Sequence, residues 1–114
     1  MPYIQISTNV SAPDCRESYL HKQLDDAMTL LPGIQSGWTM TNFRTNCCLW
    51  FGGTDAPAAI AEVFVYGDIL ATGCDLLTER ITEILSNTLE IEVNRIYVKY
   101  TAAECWGCSG ENYD

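Results

Sequence analysis

The sequence predicts a single α+β (α/β) domain in which a strand–helix–strand unit occurs twice. The length of 114 residues fits one domain spanning residues 1–114. Twice along the chain, a segment of alternating hydrophobicity is followed by apolar residues at helical spacing. A helix-capping string of the form S/T-x-x-D separates strand from helix both times, at positions about sixty residues apart. Together these observations predict a four-stranded mixed sheet with two antiparallel helices on one face.

The first unit begins at the amino terminus. Residues 3–8 alternate between apolar and polar side chains, which predicts a strand. Ser11-Ala12-Pro13-Asp14 follows as the first capping box, with proline inside the first turn. Apolar residues then recur at helical spacing, which predicts a helix over 14–31 that Pro32-Gly33 ends. Residues 38–43 are predicted to form the next strand.

The second unit follows a short apolar segment, residues 48–51, which a glycine pair closes. Residues 58–66 form a long apolar strand interrupted by Glu62, and Thr72-Gly73-Cys74-Asp75 is the second capping box. The next helix is predicted from five residues at helical spacing: Leu77, Ile81, Ile84, Leu85 and Thr88. Residues 95–100 give a strand, and the tail from Cys105 is expected to add a short edge strand. Two helices cover only one face of such a sheet, so we expect self-association to cover the other.

Composition excludes several classes of partner. The formal net charge is −9 and the pI is about 4.3, so nucleic acid and anionic membranes are unfavourable partners. No apolar run reaches the length of a membrane span, and the amino terminus lacks the pattern of a secretion signal. We therefore expect a cytoplasmic protein. An anionic substrate would need locally placed cations, because the overall field repels it.

The six cysteines are expected to be reduced thiols, since nothing indicates an oxidising compartment. Cys105-Trp106-Gly107-Cys108 has the C-x-x-C spacing of redox motifs, although no predicted helix follows it. We interpret these as ordinary tail cysteines, with reversible disulfide formation near a pocket as the alternative. A zinc site would need further ligands, and His21 is the single histidine. His21 is interpreted as a solvated helix residue, and neither a metal nor a cofactor is expected.

Pro2 is the strongest candidate for chemistry. Removal of Met1 would leave its nitrogen as a secondary amine, whereas an attached Met1 makes that nitrogen an amide without basicity. Burial disfavours the charged form of an amine, so an amine among apolar neighbours holds its proton less tightly. A general base works best when it titrates near the working pH. A buried amino-terminal proline could therefore transfer protons at neutral pH.

Several segments in order carry a family resemblance: Met1-Pro2-Tyr3-Ile4, Thr8-Asn9-Val10, Phe51-Gly52-Gly53-Thr54-Asp55, Asn94-Arg95-Ile96-Tyr97-Val98 and Trp106-Gly107. From end to end the chain resembles macrophage migration inhibitory factor and its relatives in the tautomerase superfamily. The resemblance implies a homotrimer with a pocket at each subunit interface. It implies keto–enol tautomerisation of phenylpyruvate-like or dopachrome-like compounds without a cofactor. It also implies cytokine-like signalling through a cell-surface receptor and secretion without a signal peptide as an alternative role and location.

The resemblance also assigns site residues. Pro2 matches the catalytic base, and Tyr97 matches the pocket tyrosine that the adjacent subunit contributes. Tyr66 falls where relatives usually have isoleucine, and Lys99 falls where many have asparagine. Trp38 lies near another pocket aromatic, and the tail that closes the pocket contains Trp106 and Tyr113.

This chain departs from the family pattern after the first helix. Relatives usually have Gly-Lys-Pro there, and that lysine holds the substrate carboxylate, whereas this chain reads Leu31-Pro32-Gly33-Ile34. Lys99 is a candidate replacement because it lies on the same strand face as Tyr97; the alternative is a solvated charge. Tyr66 would narrow the pocket and change or block substrate choice, or it would pack on a neighbouring subunit. Glu62 is either an inward-facing functional acid or an interface residue.

Overall fold

The computed structural model of the chain describes residues 2–11, 14–68 and 72–113. The elements are β1 (Pro2–Thr8), α1 (Asp14–Met28), β2 (Met40–Arg44), β3 (Ala59–Tyr66), α2 (Cys74–Leu89), β4 (Ile96–Ala103), β5 (Trp106–Cys108) and β6 (Glu111–Tyr113), with a 3₁₀ turn at Val93–Arg95. Within the described residues no helix is long and apolar enough to cross a bilayer.

The main sheet has the strand order β2-β1-β3-β4. β1 pairs in parallel with β2, and β3 pairs in parallel with β4, each pair being joined by one helix. The two units meet at the centre of the sheet, where β1 and β3 are antiparallel. The units therefore run in opposite directions, and so do their helices. This confirms the predicted α+β fold with a duplicated strand–helix–strand unit and a mixed sheet.

The core lies between the helices and one face of the sheet. Alternate residues of β1 and β3 are buried there, which is why both strands show strict two-residue periodicity in sequence. The fully buried side chains include Ile4, Ile6, Leu20, Leu24, Met28, Val63, Val65, Leu77, Ile81 and Leu85. Each large aliphatic side chain contributes about 1.5–3 kcal/mol when it leaves water completely. The predicted core stripe of the second helix is therefore the face that packs on the sheet.

Several predicted boundaries are wrong. The first helix ends at Met28 rather than at residue 31, because the chain continues in a turn stabilised by the Leu31 N–H to Met28 carbonyl bond. The second strand begins at Met40, so Trp38 lies in the preceding loop. The tail forms its own β5–β6 hairpin instead of an edge strand.

The capping boxes have different outcomes. The first box includes residues 12 and 13, which lie outside the described residues. The second box is wrong, because Gly73 is the residue that precedes α2 and no side chain caps the helix. Gly73 has φ +95, and a Cβ there would lie 2.9 Å from the carbonyl oxygen of Leu30. The helix therefore begins at a tight backbone approach that only glycine permits.

In residues 2–11, 14–68 and 72–113, no helix lies on the opposite face of the sheet. Its side chains are Met40, Asn42, Arg44, Tyr3, Gln5, Ser7, Ile60, Glu62, Phe64, Tyr66, Tyr97, Lys99, Thr101 and Ala103. We call these residues the open face. Met40 is 70% exposed and Tyr97 is 59% exposed, so two large apolar side chains project into solvent at its edges. Among the described residues no helix covers the open face, as the count of helices predicted, and the tail hairpin contacts it through Tyr113 on Tyr66.

Candidate functional site

Pro2 is buried at the amino-terminal end of β1, against apolar walls. Its Cα partner in the neighbouring strand is Val65, which is completely buried. The side chain of Pro2 follows the alternation of Ile4, so it lies on the core side of the sheet. A nitrogen at this position would have the apolar Val65 as its strand neighbour.

A concavity lies at the same end of the sheet. Its volume is about 340 Å³ and it is lined by Tyr66, Gly67, Asp68, Ala102, Ala103 and Glu104. The ring of Tyr66 lies 6.0 Å from the ring of Tyr113, which pairs with Trp106 across the β5–β6 hairpin. Desolvation and the adjacent Cys108 raise the pKa of the Tyr113 phenol. The structure thus brings three predicted site residues to the end of the sheet where Pro2 begins.

Trp38 lies in the loop that leads into β2, also at this end. The side chain is 57% exposed. Asp25 of α1 holds the loop by accepting the N–H of Gly37 at 2.7 Å and that of Thr39 at 3.2 Å. The hydroxyl of Ser36 donates to the same carboxylate at 3.2 Å. Sequence reasoning missed Asp25, because an acid on an amphipathic helix gives no signal that it binds a distant loop.

Tyr97 lies at the other end of the sheet. Its ring contacts Phe51 at 5.0 Å, and both belong to an apolar hollow of about 120 Å³ that also includes the half-exposed Trp50. Tyr97 pairs with Ile60 whereas Pro2 pairs with Val65, so their levels differ by five residues along β3, about 16 Å. Within one chain, Tyr97 and Pro2 therefore cannot form one pocket.

Two side chains fix the loop behind Tyr97, and sequence reasoning missed both roles. The Asn9 amide donates to three backbone carbonyls, and its oxygen accepts the N–H of Ala58. Arg95 donates to four carbonyls of residues 51–57 and its guanidinium lies 5.1 Å from the Phe51 ring centroid. Both residues belong to the segments that carry the family resemblance. Their partners, however, lie about forty residues away in sequence, so spacing gave no indication of the contacts.

The cations of this chain lie away from the concavity beside Pro2, whose two charged lining residues are the acids Asp68 and Glu104. Lys99 is exposed on the open face, directly opposite Glu62 in the strand register. The other cations are Arg16, Lys22, Arg44, Arg80 and Arg95, of which Arg16, Arg80 and Arg95 bond to groups elsewhere in the chain. A cation for an anionic substrate at Pro2 would therefore have to come from another copy.

The C-x-x-C string is unsuited to an internal disulfide. Residues 106–108 are extended in β5, which puts the Cα atoms of Cys105 and Cys108 about 10 Å apart. A disulfide needs Cα atoms within about 7 Å. In the described ranges, no three His, Cys, Asp or Glu side chains are grouped to hold a metal ion. The interpretation of His21 as a solvated residue is wrong, because its half-buried ring bonds the Thr41 hydroxyl and contacts Phe43.

The duplicated unit, the four-stranded mixed sheet and a proline at the buried start of β1 define a tautomerase-type α+β fold. The family model of macrophage migration inhibitory factor (MIF) matches residues 1–111. This chain therefore belongs to the MIF family.

Solved structures agree with that assignment. The crystal structure of Leishmania major MIF2 superposes with a TM-score of 0.91 at 27% identity, covering 99% of this chain and 97% of that one. A MIF homologue from Prochlorococcus marinus gives a TM-score of 0.86 at 24% identity, with coverages of 98% and 99%, and supports the fold alone. MIF from Toxoplasma gondii gives a TM-score of 0.83 at 20% identity, with coverages of 97% and 99%, and also supports the fold alone. No functionally curated protein matches the sequence significantly.

Proposed function

We propose that this protein is a cofactor-independent keto–enol tautomerase with Pro2 as its general base. The substrate is a small aromatic α-keto acid or its enol, of the phenylpyruvate or dopachrome type. The observation that carries the proposal is the burial of Pro2 at the end of the sheet where Tyr66 lines a concavity. Membership of the MIF family supports the same reaction class.

The apolar surroundings favour the neutral amine. The side chain of Val65, the strand neighbour of Pro2, offers no hydrogen-bond partner to an ammonium group, and desolvation disfavours the charge. The neutral amine can remove a proton beside the substrate carbonyl. The C–H electron pair then forms the C=C bond of the enol, and the carbonyl oxygen takes the proton that Pro2 now holds, which regenerates the neutral amine. In the reverse direction Pro2 takes the enol O–H proton and delivers it to carbon, so one group serves both directions and no co-reactant is needed.

Self-association would complete the site. Tyr97 and Lys99 are exposed on the same face of β4 and lie too far along the sheet to meet Pro2 of their own chain. We propose a homotrimer in which a neighbouring copy brings Tyr97 and Lys99 to each Pro2. The Lys99 ammonium would then bind the substrate carboxylate against the repulsion of Asp68 and Glu104, since charge-assisted hydrogen bonds are about twice as strong as neutral ones.

The test is the ultraviolet absorbance decay of enol-phenylpyruvate, on protein whose intact mass shows that Met1 is absent. Pro2→Gly should lower kcat by about 100-fold or more, the usual contribution of a general base. An alanine inserted before Pro2 should have the same effect because it turns the amine into an amide. Pro32→Ala, at an exposed proline in a turn, is the matched control and should retain full activity. Unchanged activity in Pro2→Gly would remove Pro2 from the mechanism.

A second candidate function is MIF-like signalling with weak or absent catalysis. The specific observation that favours it is the segment after α1, where residues 29–39 carry no cation to hold a carboxylate. In that case the demethionylated protein would show no tautomerase activity. Fluorescently labelled protein would still bind cultured cells saturably, and the alanine-blocked variant would bind equally well. Binding that disappears with the blocked amino terminus would contradict this candidate.

A further inference from the structure

We propose that Thr39 is a positioning residue for the Pro2 base, with its hydroxyl oxygen accepting the N–H of the free Pro2 amine. This inference rests on the proposed function and deepens it, because it says what orients the base. It concerns a side chain of the loop before β2, and it follows from a hydrogen-bonding group that is buried without a partner.

The Thr39 hydroxyl is the observation that needs an explanation. Among the described residues, its Oγ1 is the one buried side-chain oxygen or nitrogen that has no hydrogen-bond partner. Leaving a polar group buried and unsatisfied costs about 1–3 kcal/mol, so such groups are rare in folded proteins. A nearby partner that forms only after Met1 is removed would account for it.

The strand register points to a position for Thr39 close to Pro2. β1 and β2 are parallel, and Tyr3 pairs with Met40 at the first step of the ladder. Thr39 is the loop residue directly before Met40, so continuing the ladder by one residue would place it level with Pro2, at a strand spacing of about 5 Å. With alternating side chains, Thr39 would continue the core-side row of Thr41, as Pro2 continues that of Ile4. The orphan hydroxyl and the proline would then be neighbours on the same face of the sheet.

The loop holds Thr39 firmly. Its own N–H donates to Asp25 Oδ1 at 3.2 Å, and the N–H of Gly37 donates to Asp25 Oδ2 at 2.7 Å. Gly37 has φ +88, a conformation that glycine adopts without strain. The Asp25 carboxylate fixes the backbone on both sides of Trp38. The Thr39 side chain is therefore held in place before it binds Pro2, and binding costs little conformational entropy.

A hydrogen bond of this kind would orient the Pro2 nitrogen. A neutral secondary amine has one N–H and one lone pair. With the N–H bound to Thr39 Oγ1, the lone pair is free for the substrate. When the substrate C–H bond breaks, its proton forms a second N–H on Pro2 and the C–H electron pair enters the enol. The first N–H stays on Thr39, and the second proton is the one returned.

The same contact would also raise the proton affinity of Pro2. The N–H of an ammonium donates a stronger hydrogen bond than that of a neutral amine, so Thr39 favours the protonated form. Other titratable groups face this end from α1, β3, α2 and the tail, namely Asp25, Tyr66, Asp68, Asp75, Glu104 and Tyr113. They are present in every Thr39 variant, so a comparison at position 39 isolates the hydroxyl.

The experiment compares Thr39→Val, which keeps the shape and removes the hydroxyl, with Thr39→Ser, which keeps the hydroxyl. Thr41→Val is the matched control, because it removes a core-side hydroxyl whose partner is His21. Two readouts are measured on demethionylated protein. One is the pH dependence of kcat and KM for enol-phenylpyruvate, and the other is the titration of the Pro2 nitrogen by NMR with labelled proline.

In Thr39→Val, the Pro2 titration and the acidic limb of the rate profile should move to lower pH by about 0.5–1 unit, the difference between charged and neutral hydrogen bonds. We expect kcat to fall about 5- to 10-fold with KM unchanged, and Thr39→Ser and Thr41→Val to keep the wild-type midpoint. If Thr39→Val does not fold, Thr39→Ala takes its place.

Coincident titrations of wild type and Thr39→Val would overturn the inference, whether or not the protein is active. A shifted titration in a protein without tautomerase activity would support the Thr39 contact and remove the proposed function. Tautomerase activity with an unshifted titration would support the proposed function and overturn the Thr39 contact. The two proposals therefore fail separately.

Discussion

Replacement of Arg95 by lysine should destabilise the fold although the charge is kept. Arg95 donates from Nε to the Pro57 carbonyl at 2.9 Å and from Nη1 to that of Phe51 at 3.2 Å. Its Nη2 donates to the carbonyls of Thr54 and Ala56 at 3.3 and 3.0 Å. A planar fork reaches four oxygens at once, whereas a lysine ammonium is a single point with three donors.

The magnitude follows from these contacts. We expect lysine to lose two or three of the four bonds, and the loop is half exposed, so each lost bond costs about 0.5–1 kcal/mol. The cation–π contact with Phe51 adds about 0.5 kcal/mol. The free energy of unfolding should therefore fall by about 2 kcal/mol, which moves the urea midpoint down by about 1 M.

The assay is urea unfolding followed by circular dichroism, at one protein concentration because self-association contributes to stability. Arg80→Lys is the matched control, since Arg80 makes one exposed 3.1 Å ion pair with Glu83 on α2. Exposed pairs of this kind contribute about 0–1 kcal/mol. If the two lysine variants lose stability equally, the argument that Arg95 acts through its fork geometry is wrong.

Two further predictions concern the start of α2. Gly73→Ala should lower the free energy of unfolding by about 2 kcal/mol or more, because φ is +95 and the new Cβ would lie 2.9 Å from the Leu30 carbonyl oxygen. Gly110→Ala, with φ +81 and open space around it, should cost about 1 kcal/mol, and equal losses would contradict the role of the close approach. Burial raises the pKa of the Tyr100 phenol, which bonds Thr78 at 2.6 Å, so the folded state keeps this proton above pH 10 while the unfolded chain releases it. The stabilising contribution of the Tyr100 hydroxyl is therefore present below pH 10 and lost as pH rises. Tyr100→Phe should be less stable than wild type by about 1 kcal/mol at pH 8 and by less at pH 11. If urea unfolding gives the same stability difference between the two proteins at both pH values, this reasoning is refuted.

The periodicity of apolar residues predicted the elements that pack against the core along their whole length. Residues 59–66 form a strand within one residue of the prediction, because every second side chain is buried against the helices. The core stripe of α2 was likewise visible, since Leu77, Ile81 and Leu85 all face the sheet. Boundaries failed where a long-range contact ends an element. The β2 strand starts late because Asp25 binds the backbone N–H of Thr39.

The candidate site also had a part that sequence could predict and a part that it could not. Pro2, Tyr66, Trp106 and Tyr113 could be named from sequence through the family resemblance. Their grouping at one end of the sheet, with Tyr97 about 16 Å further along, depends on strand register. No spacing rule could have indicated the buried Thr39 hydroxyl, because its burial comes from packing rather than from its neighbours in sequence.

The sequence by itself determined the duplicated strand–helix–strand unit, the acidic surface and the amino-terminal proline, because hydrophobic period, charge and residue identity are local properties. The tertiary structure alone decided which face of the sheet has no helix on it, which loops Asp25 and Arg95 hold, and which hydroxyl is buried without a partner. The contacts of Asp25 and Arg95 join residues that are 11 to 44 positions apart. Folding brings such residues together only when the whole core forms, so no short stretch of sequence encodes them.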